Sequence, residues 1–352
     1  MTHSSSRIRF GVIGAGRIGA HHARILGRHP GVELVGVCDT NMWRAQLAAW
    51  RGGGLAVRSF TDLLKKVDAA VVAVPTEHHV EVGLAALDAG VHCLIEKPIA
   101  GTVEDAWRLL DASERNKVQL QVGHVERFNP AVLKAIEYIK HPRFITVERL
   151  GPYDPRTQNI GVVLDLMIHD LDILLTLVGG EVESLEAIGA HLFSKHEDIA
   201  NVRVRFKTGC VADLTASRIS IKRHRKIRIF QETSYISLDY MNATLQVHRK
   251  KRPDARTLKD VEQISPKLDK TEPLRKQIDH FVDCIRHNRK PWPSGEHGLE
   301  ALKLALQITD ELERYAVTDH AHPSTFLPRL AAGVGRFART VTDTLRGIER
   351  NG

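Results

Sequence analysis

A chain of 352 residues with 43% hydrophobic and 26% charged residues exceeds one small domain and suits a soluble two-domain protein with a sizeable core. Four dispersed cysteines (Cys38, Cys93, Cys210, Cys284) form no CxxC pair, which excludes a disulfide framework or zinc site and fits a reducing cytosol. A formal charge of +8 favours anionic partners, but Lys222-Arg223-His224-Arg225-Lys226 and Arg249–Arg252 carry no interleaved aromatics or nucleic-acid motif, so no nucleic acid is expected.

These basic runs read first as solvated strand ends and a loop, and second as a patch for an anionic partner. No signal-peptide core precedes Ile8, and no apolar run approaches the roughly 18 residues of a spanning helix. A cytoplasmic protein is expected.

In chain order, Arg7–Ile13 is a short apolar strand that runs directly into Gly14-Ala15-Gly16-Arg17-Ile18-Gly19. A helical segment leaves this loop (Ile18–Leu26), and a second strand, Glu33–Cys38, ends in Asp39. The three glycines serve different ends. Gly14 allows the tight turn, Gly16 lets the backbone approach a pyrophosphate, and Gly19 permits close helix–strand packing. The helix N-terminus attracts phosphate charge, and an acid about 20 residues on accepts hydrogen bonds from an adenosine ribose. Asp39 would repel a 2′-phosphate, so NAD is favoured over NADP, with Arg44 the feature that speaks for NADP.

The alternation continues with a helix over Thr61–Lys66, a strand over Ala69–Val74, a helix around His79–Ala89, and a strand over Val91–Ile95. A helix over Val103–Arg115 and a strand over Val118–Val122 complete it. This pitch predicts a doubly wound parallel sheet, an N-terminal Rossmann domain over residues 1–123. Ligands of such sheets sit at the carboxyl ends of the strands, where Pro75-Thr76 and Glu96-Lys97-Pro98 fall. A lysine there is placed to stabilise negative charge developing on a substrate oxygen.

From Phe144 the pattern changes. A strand over Ile145–Leu150 and a Pro-rich loop, Gly151–Gly161, lead to a helix that Gly179-Gly180 ends. That helix carries Asp165-Leu166-Met167-Ile168-His169, a carboxylate and an imidazole on one face and within mutual reach. Six short strands follow (Val182–Ala190, Ala200–Phe206, Cys210–Ser217, Arg225–Glu232, Tyr235–Leu238, Ala243–His248), predicting an open, mostly antiparallel sheet in an α/β domain over 124–315. Arg249–Lys270 reads as an exposed loop, and two amphipathic helices over Pro273–Arg286 and Ser294–Tyr315 close the domain. Residues 316–352 read as a basic amphipathic tail that packs on a subunit or, as the second reading, touches an anionic membrane surface.

The glycine loop, Pro75-Thr76-x-x-His79, Glu96-Lys97-Pro98 and Asp165-x-x-x-His169, in this order, resemble the Gfo/Idh/MocA oxidoreductase family. The resemblance spans roughly Arg7 to Tyr315. It implies a homodimer or homotetramer and catalytic roles for Lys97, Asp165 and His169. It also implies cofactor contacts from Gly14, Gly16, Arg17, Ile18, Gly19, Asp39, Pro75, Thr76, His79 and Glu96, with no metal. Gly123–Pro130 and Arg149–Asp172 are similar to the branch that oxidises C3 of UDP-N-acetylglucosamine before 3-amination for lipid A or cell-surface sugars. Under that likeness Arg127, Asn129, Arg149 and Arg156 are the expected substrate contacts, Arg156 foremost, and His124 is structural. The alternatives are a dehydrogenase of a free polyol or hexose such as inositol, and a catalytically silent dinucleotide sensor.

Overall fold

The first strand, β1 (Ile8–Ile13), is buried along nearly its whole length and pairs in parallel with two neighbours, β2 (Val32–Cys38) and β4 (Ala69–Val72). The computed structural model describes residues 7–319; the side chains of Arg156 and of residues 315–319 lie outside that description, as does the expected tail from residue 320 on. Between β1 and β4 the chain forms α1 (Arg17–Leu26), α2 (Met42–Gly52), β3 (Leu55–Val57) and α3 (Phe60–Leu64). After β4 come α4 (His79–Asp88), β5 (His92–Ile95), α5 (Val103–Arg115) and β6 (Leu120–Val122). The six strands order as β3-β2-β1-β4-β5-β6, all parallel, as the alternation predicts for five of them; the short edge strand β3 was not expected.

Local chemistry explains the helix starts. Asn41, Ser59 and Thr102 each accept a hydrogen bond from a backbone amide in the first turn of α2, α3 and α5. Gly53, at φ 76°, ends α2 in the left-handed region that favours glycine.

The second sheet is built from β7 (Phe144–Leu150), β8 (Val182–Ala190), β9 (Ile199–Phe206), β10 (Val211–Ser217), β11 (His224–Phe230), β12 (Ser234–Asp239), β13 (Thr244–Lys250) and β14 (Val261–Ile264). Its order is β14-β13-β12-β11-β7-β10-β9-β8, antiparallel except for the β7–β10 pair. Alternate residues are buried: Ile145 and Val147 on β7, Ile227 and Ile229 on β11, Val202 and Val204 on β9. The segment Arg249–Lys270 differs from the expected open loop, because Val261–Ile264 pairs with β13 and extends the sheet. This strand carries Glu262 and Gln263, and all its residues are half-buried or exposed, so it offers no buried face to read.

Before this sheet lies α6 (Pro130–Ile136), between β7 and β8 lies α7 (Ile168–Val178), and after the last strand come α8 (Pro273–Arg286) and α9 (Gly295–Asp319). The last two return to the first sheet. Ile278, Phe281 and Val282 of α8 join the core of α1, α2 and β1, where Phe10 meets Phe281 edge-on at 6.2 Å. Leu299 and Leu302 of α9 join the opposite core, with α4 and α5. Burial of each such side chain stabilises the arrangement by about 1.5–3 kcal/mol. Both sheets belong to one compact unit that runs to Asp310; Glu311–Gly352 is a second, of which only the end of α9 is described. No helix among the described residues is long and apolar enough to cross a membrane.

Candidate active site

The glycine loop is shaped by three different constraints. Gly14 sits at φ 95°, and a Cβ there would lie 2.4 Å from the Ala73 carbonyl oxygen. A Cβ on Gly19 would lie 1.8 Å from the carbonyl oxygen of Gly14. At Gly16 a Cβ would meet no atom within 4 Å, so the space beside it is open to a ligand. Arg17 and Ile18 are exposed in the first turn of α1 at this opening. Asp39, at the end of β2, accepts from Ala15 N at 2.6 Å and from Asn41 N at 2.7 Å, which fixes its carboxylate beside the loop. Open space at Gly16, a helix N-terminus behind it and an acid after β2 fit a dinucleotide.

Pro75 is exposed and Thr76 half-buried after β4. His79 differs from the expected cofactor contact. It is 1% exposed, with Nδ1 2.8 Å from the Pro98 carbonyl and Nε2 3.0 Å from the Val74 carbonyl. It ties the loop after β4 to the loop after β5, and burial lowers its pKa. Glu96 is likewise engaged: its Oε1 lies 2.7 Å from Nε2 of buried His22 on α1. The other Glu96 oxygen crowds Gly123, where a Cβ would lie 2.5 Å away.

Lys97 reaches across to the second half of the chain. Its Nζ donates to the backbone carbonyl of Asp165 at 2.6 Å and lies 3.5 Å from Asp165 Oδ1, both side chains about one-fifth exposed (18% and 20%). The segment around Asp165 is a π-helical turn, Val163–Met167, in which the Ile168 amide reaches back to the Val163 carbonyl. π-Turns concentrate at functional sites. The turn also corrects the expected geometry: Asp165 faces Lys97 rather than His169. His169, half-buried in the first turn of α7, has an Nδ1 without a hydrogen-bond partner. Burial, and then the charges of Lys97, Arg149, His124 and Arg225, hold its pKa well below the usual 6.5, so the imidazole is neutral at neutral pH.

Behind His169 lies a layer of buried ion pairs. Arg149 is bidentate to Asp170 (2.6 and 2.8 Å), and Arg127 is bidentate to Asp172 (2.8 and 2.6 Å). Arg149 also reaches Glu126 at 3.2 Å and stacks over Tyr240. Burial works against the charge on Arg149, and Asp170 and Glu126 more than offset it, so its pKa rises. Arg127 and Arg149 were expected to face substrate, but they are 1% and 2% exposed, each with Nε and Nη2 on a carboxylate of α7, and Arg127 Nη1 has no hydrogen-bond partner among the described residues. Asn129, the third expected contact, caps α6 through Ala131 N and donates to the Tyr240 carbonyl. The fourth, Arg156, has its side chain outside the described residues. His124 is 1% exposed, its pKa lowered by burial, and neither ring nitrogen has a hydrogen-bond partner.

Three residues without a local sequence signal organise the loop from Gly151 to Gly161. Buried Arg218 donates to the carbonyls of Thr157 (2.7 Å) and Ile160 (2.6 Å) and to Asp198 (2.8 Å). Asp198 Oδ2 in turn accepts from the amides of Leu192, Phe193 and Ser194. Glu197 accepts from Val162 N with its carbonyl and from Val163 N with its carboxylate, capping the turn that carries Asp165. Asp170 and Asp172 were the legible signal for the ion-pair layer, since carboxylates inside an apolar helix must find buried partners. Arg218 lies in a strand-end sequence with nothing nearby to mark it.

A Rossmann-type sheet, a glycine loop open to a dinucleotide and a lysine–carboxylate pair with a neutral imidazole define a nicotinamide-dependent oxidoreductase. The chain belongs to the Gfo/Idh/MocA oxidoreductase family: residues 8–124 match the NAD-binding Rossmann-fold model and 142–237 the family's C-terminal domain model. It is 34% identical over 314 residues to UDP-N-acetylglucosamine 3-dehydrogenase of Acidithiobacillus ferrooxidans, covering 88% of this chain and 98% of that one. The solved structure of that enzyme superposes with a TM-score of 0.83. Myo-inositol 2-dehydrogenase of Thermotoga maritima is 26% identical, over 87% of this chain and 96% of its own. Levoglucosan dehydrogenase in complex with NADH and L-sorbose shares the fold, with a TM-score of 0.78 at 20% identity over 88% of this chain and 97% of its own.

Proposed function

We propose that this protein oxidises the C3 hydroxyl of UDP-N-acetylglucosamine to the ketone with NAD+, in the cytoplasm, as a homodimer or homotetramer. The product would be a 3-keto nucleotide sugar ready for 3-amination on the way to lipid A or a cell-surface sugar. The observation that carries the reading is Lys97 held on Asp165, with a neutral His169 close enough to feel the charge of that lysine. The 34% identity to the Acidithiobacillus enzyme supports the substrate. Gly14, Gly16 and Gly19, the first turn of α1 and Asp39 would hold the dinucleotide, and Asp39 favours NAD over NADP.

When bound, the nicotinamide supplies the hydride acceptor. His169 takes the hydroxyl proton, which its unprotonated ring can accept at neutral pH. Lys97, anchored on the Asp165 carbonyl, stabilises the oxygen as it becomes anionic, and Asp165 holds the ammonium in place. The buried pairs Arg149–Asp170 and Arg127–Asp172 fix the helix that aims His169.

A second reading gains from these same pairs. With Arg127 and Arg149 committed to carboxylates, two of the arginines expected to hold a diphosphate are withdrawn, which favours a neutral polyol such as myo-inositol. NADH absorbance decides between them: protein with NAD+ and UDP-N-acetylglucosamine should generate NADH, and a coupled aminotransferase with glutamate should pull the reaction forward. Turnover of myo-inositol with none of the nucleotide sugar would reverse the assignment. Silence with every sugar, together with tight NADH binding, would mark a sensor.

A further inference from the structure

We propose that Arg225 and Arg223, in the basic run at the start of β11, form the cationic subsite that takes the diphosphate of a nucleoside-diphosphate substrate. The inference rests on the nucleotide-sugar reading above and supplies the anion contact that Arg127 and Arg149 are not free to make.

Strand register places the first residue. Arg225 pairs directly with Arg149 across β7 and β11, so the two side chains leave the same face of the sheet. On that face Arg149 grips Asp170, the residue after His169. Arg225 therefore extends from the sheet toward the helix that carries the imidazole. Arg149 uses its neighbours fully, with two bonds to Asp170 and one to Glu126. Among the described residues Arg225 is left with a single ion pair, 3.8 Å from the same Glu126 oxygen, and its side chain is 37% exposed. A guanidinium that is half out of solvent, shares one carboxylate with a better-placed arginine and faces the catalytic helix is poised for an added anion. Its pKa is lowered, first by burial and then by the like charges of Arg149 and Arg223, which a phosphate would relieve.

Arg223 extends the subsite toward the substrate loop. It is exposed, and its Cγ lies 4.0 Å from where a Cβ of Gly151 would stand. The two segments are stitched together there: Gly151 N donates to the Ser217 carbonyl at 2.8 Å, and Ser220 N to the Gly151 carbonyl at 2.9 Å. Gly151 opens the loop that leads to Asp165. Thus the basic run, which in the sequence reads as a solvated strand end, borders both the loop and the helix of the site. Two other members are directed elsewhere: His224 lies 3.0 Å from Glu148, and Lys226 is within 4.0 Å of Asp239.

The test is a titration of UDP and, separately, of NADH into the full chain and its Arg223→Gln, Arg225→Gln and Arg225→Lys variants, with KM for UDP-N-acetylglucosamine measured at low and high salt. Loss of one charge-assisted phosphate contact should weaken UDP binding by about 10- to 100-fold and raise KM similarly in the Gln variants. NADH affinity should hold, Arg225→Lys should recover part of the loss, and the salt dependence of KM should flatten. Unchanged UDP affinity in both Gln variants overturns the assignment. Parallel loss of NADH affinity in both gives the arginines a structural role and also overturns it. A parent protein that binds neither UDP nor UDP-N-acetylglucosamine overturns the nucleotide-sugar reading itself, and this subsite with it.

Discussion

Lys97 spends two of its three donors on a single residue, the carbonyl and carboxylate of Asp165, which leaves one direction for a substrate oxygen. Replacement by Met should therefore lower kcat by about 10²–10³-fold, the range for removing one donor to a developing anion, with NADH affinity retained. His169→Asn should cost about 10²–10⁴-fold, as expected for a lost general base. The pH profile separates the two roles. Because His169 titrates well below 6.5 in the folded protein, its neutral form persists as pH falls from 8 to 6.5. Its contribution to kcat/KM should stay constant over that window and decline only at lower pH. An inflection from His169 at or above pH 6.5 would overturn its lowered pKa, and undiminished turnover in either variant would remove that residue from the chemistry.

At the scale of elements, the glycine loop allows ligand and fold to be separated by mutation. Gly16→Ala meets no protein atom within 4 Å, so its thermal midpoint should stay close to that of the parent while NADH binding weakens. Gly19→Ala drives a methyl group into the Gly14 carbonyl and should cost about 1–3 kcal/mol of stability as well. Calorimetry with NADH titration checks both; a destabilised Gly16→Ala protein with normal NADH affinity would refute the division. This loop was fully legible because its glycines, flanking strand and Asp39 lie within one continuous segment. Most of the second sheet was legible too, as at Ile199–Phe206, whose burial alternates with the pleat, whereas the edge strand β14 was not. The π-turn at Val163–Met167 was not legible: a 3.6-residue period put Asp165 beside His169, whereas one wider turn gave Asp165 to Lys97, 68 residues away. The roles of Arg127 and Arg149 were hidden for a related reason. Whether an arginine meets a phosphate or a buried carboxylate is settled by partners 45 and 21 residues distant, Asp172 and Asp170.

For the molecule as a whole, histidine burial sets the acid limit of stability. Among the described residues, every histidine whose ionisation is displaced moves the same way: His29, His79, His92, His124, His169, His280 and His297 all have lowered pKa values, with burial the largest cause in each. In the unfolded chain these groups take a proton near pH 6.5; in the folded protein they resist it until lower pH. Below pH 6.5 the unfolded state thus binds more protons, and stability falls as pH drops through the window between the unfolded and folded values. Above pH 6.5 both states are unprotonated at these sites and the full stability is present. Each group contributes a slope of up to about 1.4 kcal/mol per pH unit within its window. The thermal midpoint should therefore fall between pH 7.5 and pH 5.5, before Asp198, held far below its ordinary range by the Leu192 and Phe193 amides and Arg218, begins to protonate. His124→Gln tests the origin of the effect, since it removes one of the most deeply buried of these rings. Its melting temperature should depend less on pH over the same interval than that of the parent. A parent midpoint that is flat from pH 7.5 to 5.5 would mean that these rings open to solvent or find new partners as they protonate.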